Sequence, residues 1–456
     1  MALMPPIERQ GWQQRWTFIA ASTGAAVGLG NLWKFSYLAG ENGGAAFVLV
    51  YLASVFLLAL PILLAEVIIG SRGRANPVSS LHHVALEAGS SRFWQIIAWL
   101  GVAASLLILS YYSVIAGWIF AYVEAMFDDV FIGLNVRLVG DHFNHLLEDP
   151  RRLIIWHSSF VALIVLIAAF GVKRGVARAA RILIPVLIIA LILLAVYASK
   201  IGDIDTALEF LFKPDWSALT PAMILAAMGQ AFFTLSIGMG AMMAFGAHRP
   251  DRHSVVGMLA MVALLDTAVA LLAGLAIFPL VFSLNIEPAM GPGLMFVALP
   301  YAFGQMVYGD FFGLLFFLMV ACVSLTSGVA LLEPVTAWLV ERFNWWRPLA
   351  ATAVGVLVWL LGLLTVFSLN LWADINLWGM GVFEWLDFIS ANILLPLGAW
   401  LIALFVGWWM RAEVISDEMF DDHPWIFSLW RLLLRYIAAP AVLVIFIVPL
   451  YQRLIG

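Results

Sequence analysis

Long apolar runs alternate with short polar connections throughout this chain of 456 residues, at about 15–38, 43–70, 93–127, 153–171, 176–199, 219–246, 254–283, 308–340, 348–368, 380–410 and 427–455. Most reach the roughly 20 residues that a helix needs to cross the hydrocarbon core of a bilayer. The pattern predicts an all-α integral membrane protein of eleven transmembrane helices. Two runs are interrupted. Ser22-Thr23-Gly24-Ala25-Ala26-Val27-Gly28-Leu29-Gly30-Asn31 breaks the first, and Thr234-Leu235-Ser236-Ile237-Gly238-Met239-Gly240 breaks the sixth. Backbone that leaves the helix at membrane depth is tolerated only where it is buried in protein or lines a cavity. Carbonyls freed there can bind a cation, and the N-terminus of the next half-helix can bind an anion. Broken helices at matching places in two halves mark the binding site of a secondary transporter.

The starts of the two broken runs are separated by five runs. This spacing predicts two five-helix units of opposite topology, at 12–199 and 218–411, with the helix at 427–455 appended. No linker or low-complexity tract divides the chain, so residues 1–456 read as a single membrane domain. Composition agrees: 64% of the residues are hydrophobic and 11% are charged, against roughly 25% charged in soluble domains. Arg9, Arg15, Arg72, Arg74, Arg92, Lys173, Arg174, Arg178, Arg181, Arg249 and Arg252 fall on one side of the membrane if the N-terminus is cytoplasmic. That is the positive-inside arrangement, and it predicts a multi-pass protein of the plasma (inner) membrane with its N-terminus inside. The loop at 411–426 is acidic and dissents, but acids count little in that rule. The net charge of −5 speaks against a nucleic-acid partner. A single cysteine, Cys322, excludes an intramolecular disulfide. The stretch before the first run, and the length of that run, speak against a cleavable signal peptide.

Ordered motifs then narrow the class. Arg9-Gln10-Gly11-Trp12, Ala26-Val27-Gly28-Leu29-Gly30-Asn31, Glu41-Asn42-Gly43-Gly44, Tyr111-Tyr112, Gly229-Gln230-Ala231-Phe232-Phe233-Thr234-Leu235-Ser236 and Ser324-Leu325-Thr326-Ser327 together resemble the neurotransmitter:sodium symporter family. The length is similar to its short bacterial amino-acid symporters. The resemblance implies two sodium ions as the only cofactors. The first site takes Ala26, Asn31, Thr234 and Asp266 with the substrate carboxylate; the second takes Gly24, Val27, Val323, Thr326 and Ser327. Sodium is a hard cation that prefers oxygen, and residues 323, 326 and 327 share one helix face without any help from the family. Taken alone, Thr326 and Ser327 also read as hydroxyls that hold membrane helices together. Glu66 and Asp266 interrupt apolar runs, where an acid costs about 2.5–3.5 kcal/mol and is a functional hypothesis by default. Glu66 reads as a structural acceptor for backbone donors exposed by the breaks. Asp266 stands where many relatives have Asn, and Ala270 stands where they have a chloride-binding Ser or a substituting Glu. The resemblance thus implies chloride independence, with the negative charge moved one helical turn.

Monoamine carriers of the family have Asp at the position of Gly28. A glycine leaves room for a substrate that brings its own carboxylate, to be met by Tyr112 and the half-helix start near Leu29 and Gly30. The implied substrate is a hydrophobic L-amino acid, aromatic ones among the candidates. It would be held by Ala25, Ala26, Leu29, Gly30, Ile108, Tyr112, Phe233, Thr234, Ser236, Met239, Ser327 and Leu331. The implied outer gate is Tyr112 and Phe233 beneath a Lys34–Asp387 pair, and the inner latch is Arg9 and Trp12 with Glu341. Lys34 replaces the usual Arg and loses its planar fork, which predicts a weaker outer latch. Gly175 and Pro185 bracket a segment that relatives unwind, and they equally fit a plain helix start followed by a tolerated proline. A sodium-conducting channel and a sodium-binding amino-acid sensor are the competing readings. No nucleophile–base pair or catalytic metal motif points to an enzyme. The oligomeric state is not legible.

Overall fold

The computed structural model describes residues 15–250, 254–287, 291, 293–413, 415 and 424–455. Its first span, α1, is two half-helices: Arg15–Ala26, then Phe35–Glu41 preceded by a wide turn at Gly30–Lys34. The continuous spans that follow are α2 (Ala45–Gly73), α3 (Arg92–Phe127), α4 (Pro150–Ala169) and α5 (Ala177–Ile201). The next, α6, is again two halves, Pro221–Thr234 and Ala241–Gly246. Then come α7 (Val255–Ser283), α8 (Gly309–Phe343), α9 (Arg347–Ser368), α10 (Val382–Trp409) and α11 (Trp425–Arg453). Among the described residues, 9 helices are long and apolar enough to cross a membrane. The two spans outside that set are α1 and α6, the pair in which the sequence places its breaks. Short helices at Pro77–Glu87, Val136–Glu148, Ile204–Phe212 and Leu294–Gln305 fill the connections.

Burial follows from position in the bundle. α1 packs among α5, α7 and α8, and α8 also packs along α3. The most apolar stretch of α8 is 72% buried and that of α11 is 22% buried. α8 is therefore a protein-lined helix that can present polar side chains inward, whereas α11 turns most of its surface to lipid. Proline starts α4, α6 and the helix at Pro77–Glu87 at the first turn, where its missing N–H has no partner to lose. Asp149, Thr220 and Asn76 cap the same three helices.

One ion pair, buried on its Glu333 side and 22% exposed at Arg347, ties three spans together. Glu333 of α8 is 1% exposed and meets the guanidinium of Arg347, at the start of α9, through both oxygens. Arg347 Nε also donates to the Ala168 carbonyl at the end of α4 at 2.9 Å. Removing one partner of such a pair leaves an uncompensated buried charge, whereas replacing both with apolar groups is often nearly neutral. Arg347→Met should therefore lose stability, by less than the ~3–5 kcal/mol of a fully buried pair because water reaches the Arg347 side, and adding Glu333→Met should restore most of it. Thermal unfolding in detergent checks this; equal loss in single and double variants would contradict it.

Candidate functional site

The break in α6 is stabilised by three neighbouring spans. Ser236, Gly238 and Gly240 have φ of +53°, +81° and +74°, so the chain turns through left-handed conformations that end the helix. Glycine is required at 238 on two counts: its φ, and a Cβ there would lie 2.8 Å from the Leu395 carbonyl of α10. Non-helical backbone in a buried place needs outside partners for its polar groups. Glu66, fully buried in α2, accepts from Gly238 N–H, and Ser105 of α3 donates to the Met239 carbonyl at 2.6 Å. Ser236 Oγ donates to the Ala25 carbonyl at 2.9 Å, and Gln230 Nε2 donates to the Gly30 carbonyl at 2.7 Å. The last two bonds join α6 to the broken part of α1.

Two clusters of oxygen atoms form where the breaks meet. In one, Asp266 of α7 accepts from Asn31 Nδ2 at 2.8 Å and from Thr234 Oγ1 at 2.9 and 3.2 Å. Asn31, Thr234 and Asp266 are 1% exposed or less, and Asn31 Oδ1 also accepts from Gly28 N–H at 3.0 Å. Ala26 and Thr234 share the wall of one cavity. In the other, Ser327 Oγ lies 2.9 Å from the Val27 carbonyl and 3.5 Å from that of Gly24, while Thr326 Oγ1 donates to the Val323 carbonyl at 2.8 Å. The donor atoms at both places are carbonyl, hydroxyl, amide and carboxylate oxygens, the set that fits a hard cation such as sodium. Among the described residues there is no group of three or more His, Cys, Asp or Glu side chains placed to hold a softer metal.

Between the clusters lies a cavity of about 30 Å³. Ala25, Ala26, Leu29, Gly30, Ile108, Tyr112, Phe233, Thr234, Ser236, Met239, Ser327 and Leu331 all line it, joined by Gly28, Ala241 and Ala330. The structure thus brings together every residue that the sequence assigns to substrate contact. Ala241 and Ala330 escaped the sequence reading; the one available signal was helical spacing, Ala330 lying three residues after Ser327. Tyr112 is buried against Phe160, and its hydroxyl faces Ser324, Ser327 and the Leu29 backbone without forming a hydrogen bond of ordinary geometry to them. At Gly28 a Cβ would come within 2.8 Å of Ser327 Oγ and 3.7 Å of Tyr112 Oη, so any side chain would enter the space between them.

A larger cavity of about 310 Å³ adjoins the first, bounded by α1, α6, α10 and α11, with Lys34, Gln230 and Asn392 among its polar walls. Phe233 lines both cavities and so forms the partition between them. The expected Lys34–Asp387 pair is not formed here. The Lys34 ammonium instead lies 4.3 Å from the centroid of the Phe233 ring. Lys34 borders the larger cavity, which α10 also lines, and the Phe233 ring face gives the cation an attractive surface there. Asp387 faces Tyr111 and Tyr37. At the opposite end of the bundle Glu341 accepts from Asn76 backbone N–H at 2.9 Å and Asn76 Nδ2 at 2.6 Å. Its anticipated partner Arg9, and Trp12, lie outside the described residues. Gly175 sits in a wide turn at Val172–Val176 that leads into α5, and Pro185 lies inside that span.

Two interrupted membrane spans that cross-link over a buried, oxygen-rich cavity define a transporter. The chain belongs to the sodium:neurotransmitter symporter family, which matches residues 9–132 and 147–454. It is 34% identical over 439 residues to the uncharacterised sodium-dependent transporter YhdH of Bacillus subtilis, covering 96% of both chains. An uncharacterised sodium-dependent transporter of Haemophilus influenzae is 30% identical over 451 residues, covering 97% of this chain and 99% of the relative. Among solved structures, MhsT in complex with L-phenylalanine is similar, with a TM-score of 0.88 and 41% identity over 96% of this chain and 99% of that one. The protein is a sodium-dependent symporter of this family, embedded in the membrane, and not an enzyme.

Proposed function

We propose that this protein imports hydrophobic L-amino acids, aromatic ones among them, across the inner membrane by sodium-coupled, chloride-independent symport. The observation that carries the reading is the smaller cavity, whose polar end holds the Tyr112 hydroxyl and whose other walls are Ala25, Ile108, Met239 and Leu331. Tyr112 donates to the substrate carboxylate, with the start of the second half of α1 at Leu29 and Gly30 behind it. Carbonyls near Ala26, Phe233 and Thr234 receive the amino group. The apolar walls receive the side chain, and burying one of Leu or Phe size is worth about 1.5–3 kcal/mol. MhsT, solved with L-phenylalanine, supports that choice.

Sodium is cargo alongside the amino acid, drawn to the Asn31, Thr234 and Asp266 oxygens and to the Gly24, Val27, Val323, Thr326 and Ser327 oxygens. The N-terminus is cytoplasmic, and the units at 12–199 and 218–411 rock about the two breaks. Phe233 opens and shuts the passage from the larger cavity, and Lys34 leaves its ring for Asp387 when the outer side closes. Arg9, Trp12 and Glu341 close the other side. Proteoliposomes with an inward sodium gradient should concentrate leucine, phenylalanine or tryptophan. Equal accumulation with potassium replacing sodium would refute coupling; a sodium current without saturable amino-acid uptake would favour a channel, and amino-acid binding without accumulation would favour a sensor.

A further inference from the structure

Along α3, residues 101, 105, 108 and 112 recur at helical spacing and face the break in α6. Ile108 and Tyr112 line the smaller cavity directly. Ser105, one turn away, does not line it, yet its hydroxyl donates to the Met239 carbonyl at 2.6 Å. Ser105 and Met239 are 134 positions apart in sequence and both are buried. At Gly101 a Cβ would sit 3.1 Å from the Gly238 carbonyl oxygen and 3.2 Å from Gly240 N. The stretch holding Met239 has left the helix, so no intrahelical bond fixes that carbonyl; the Ser105 hydroxyl does so instead.

Building on the transport reading above, we infer that Ser105 is a positioning residue that sets which side-chain sizes the transporter accepts, by holding the backbone of Met239. Met has three rotatable bonds and adapts to irregular apolar shapes, so a fixed backbone is what turns its side chain into a wall of definite position. Without the tether the non-helical stretch yields to a bulky side chain and withdraws from a small one. Selectivity by size then drifts toward large substrates. The tether touches none of the oxygen groups assigned to sodium, so sodium dependence is a separate readout.

The test uses the full-length protein in proteoliposomes, with KM measured for valine, leucine, phenylalanine and tryptophan, and the half-saturating sodium concentration measured alongside. Ser105→Ala should raise the ratio of the valine KM to the tryptophan KM about fivefold or more, the effect of one buried hydrogen bond. Half-saturation by sodium should stay within about twofold of wild type, since no sodium ligand is touched. Ser105→Thr, which keeps the hydroxyl, should return the ratio to the wild-type value. If Ser105→Ala does not fold, Gly101→Ala serves, because its methyl must displace the same stretch; a changed ranking of the four substrates supports the inference. KM values that all move by one factor, a change confined to kcat, or an unaltered ranking would overturn it. Wild-type vesicles that take up none of the four overturn the transport reading itself.

Discussion

Replacing Thr326 and Ser327 together with alanine is expected to reduce sodium affinity about a hundredfold or more and to abolish concentrative uptake, while folded protein still reaches the membrane. Ser327 Oγ lies 2.9 Å from the Val27 carbonyl, and Thr326 Oγ1 bonds the Val323 carbonyl at 2.8 Å, so both hydroxyls stand among the carbonyls that would share the ion. A hydrogen-bonding group facing a charge contributes about 1.5–3 kcal/mol, and losing two amounts to about 3–6 kcal/mol, roughly two to four powers of ten in affinity. Volume hardly changes, so packing between α1 and α8 survives. Sodium titration of uptake, with surface amount measured in parallel, separates the two roles. A double variant with wild-type sodium dependence would show that these hydroxyls serve only to hold helices together.

Legibility in the sequence followed what the bilayer penalises. Gly28, Ser236, Gly238 and Gly240 stand out because lipid tolerates no unpaired backbone, and the helices stop beside them, whereas Gly24 still lies inside the helix Arg15–Ala26. Glu66, Asn31 and Asp266 stand out because polar groups in an apolar run need partners, and each has one across the site. Ala241 and Ala330 line the same cavity but carry no chemistry that an apolar sequence would make visible. Ser105 is a further case: one hydroxyl in a long apolar helix reads as packing glue until the non-helical stretch is placed against it. The position of Lys34 was out of reach for a different reason. Whether a cation meets a carboxylate or a ring depends on the distance between α1 and α10, which no local pattern encodes. Orientation, ion number and gate closure depend on the membrane and on the transport cycle rather than on local sequence.

Chloride independence is expected to depend on Asp266. A compact site that takes two sodium ions and a zwitterion needs compensating negative charge, because unpaired charge away from water is expensive. Relatives with serine at the place of Ala270 recruit chloride for that purpose; Ala270 is fully buried here and offers no hydroxyl. Asp266 lies one turn earlier on α7, faces Asn31 and Thr234, and supplies a fixed carboxylate at the first ion position. Exchanging chloride for gluconate should therefore leave wild-type uptake unchanged. Asp266→Asn keeps the shape and the hydrogen bond from Thr234 but removes the charge. Breaking a buried charge pairing costs about 3–5 kcal/mol, so uptake should fall by about a hundredfold or more. Adding Ala270→Ser to Asp266→Asn supplies a hydroxyl where chloride-dependent relatives have one, and activity should return only when chloride is present. Wild-type uptake that vanishes in gluconate would refute the relocation of charge. An Asp266→Asn variant with full chloride-free uptake would show instead that the site tolerates its cations without a neighbouring carboxylate, and Asp266 would then serve only as a buried hydrogen-bond acceptor for neighbours such as Asn31 and Thr234.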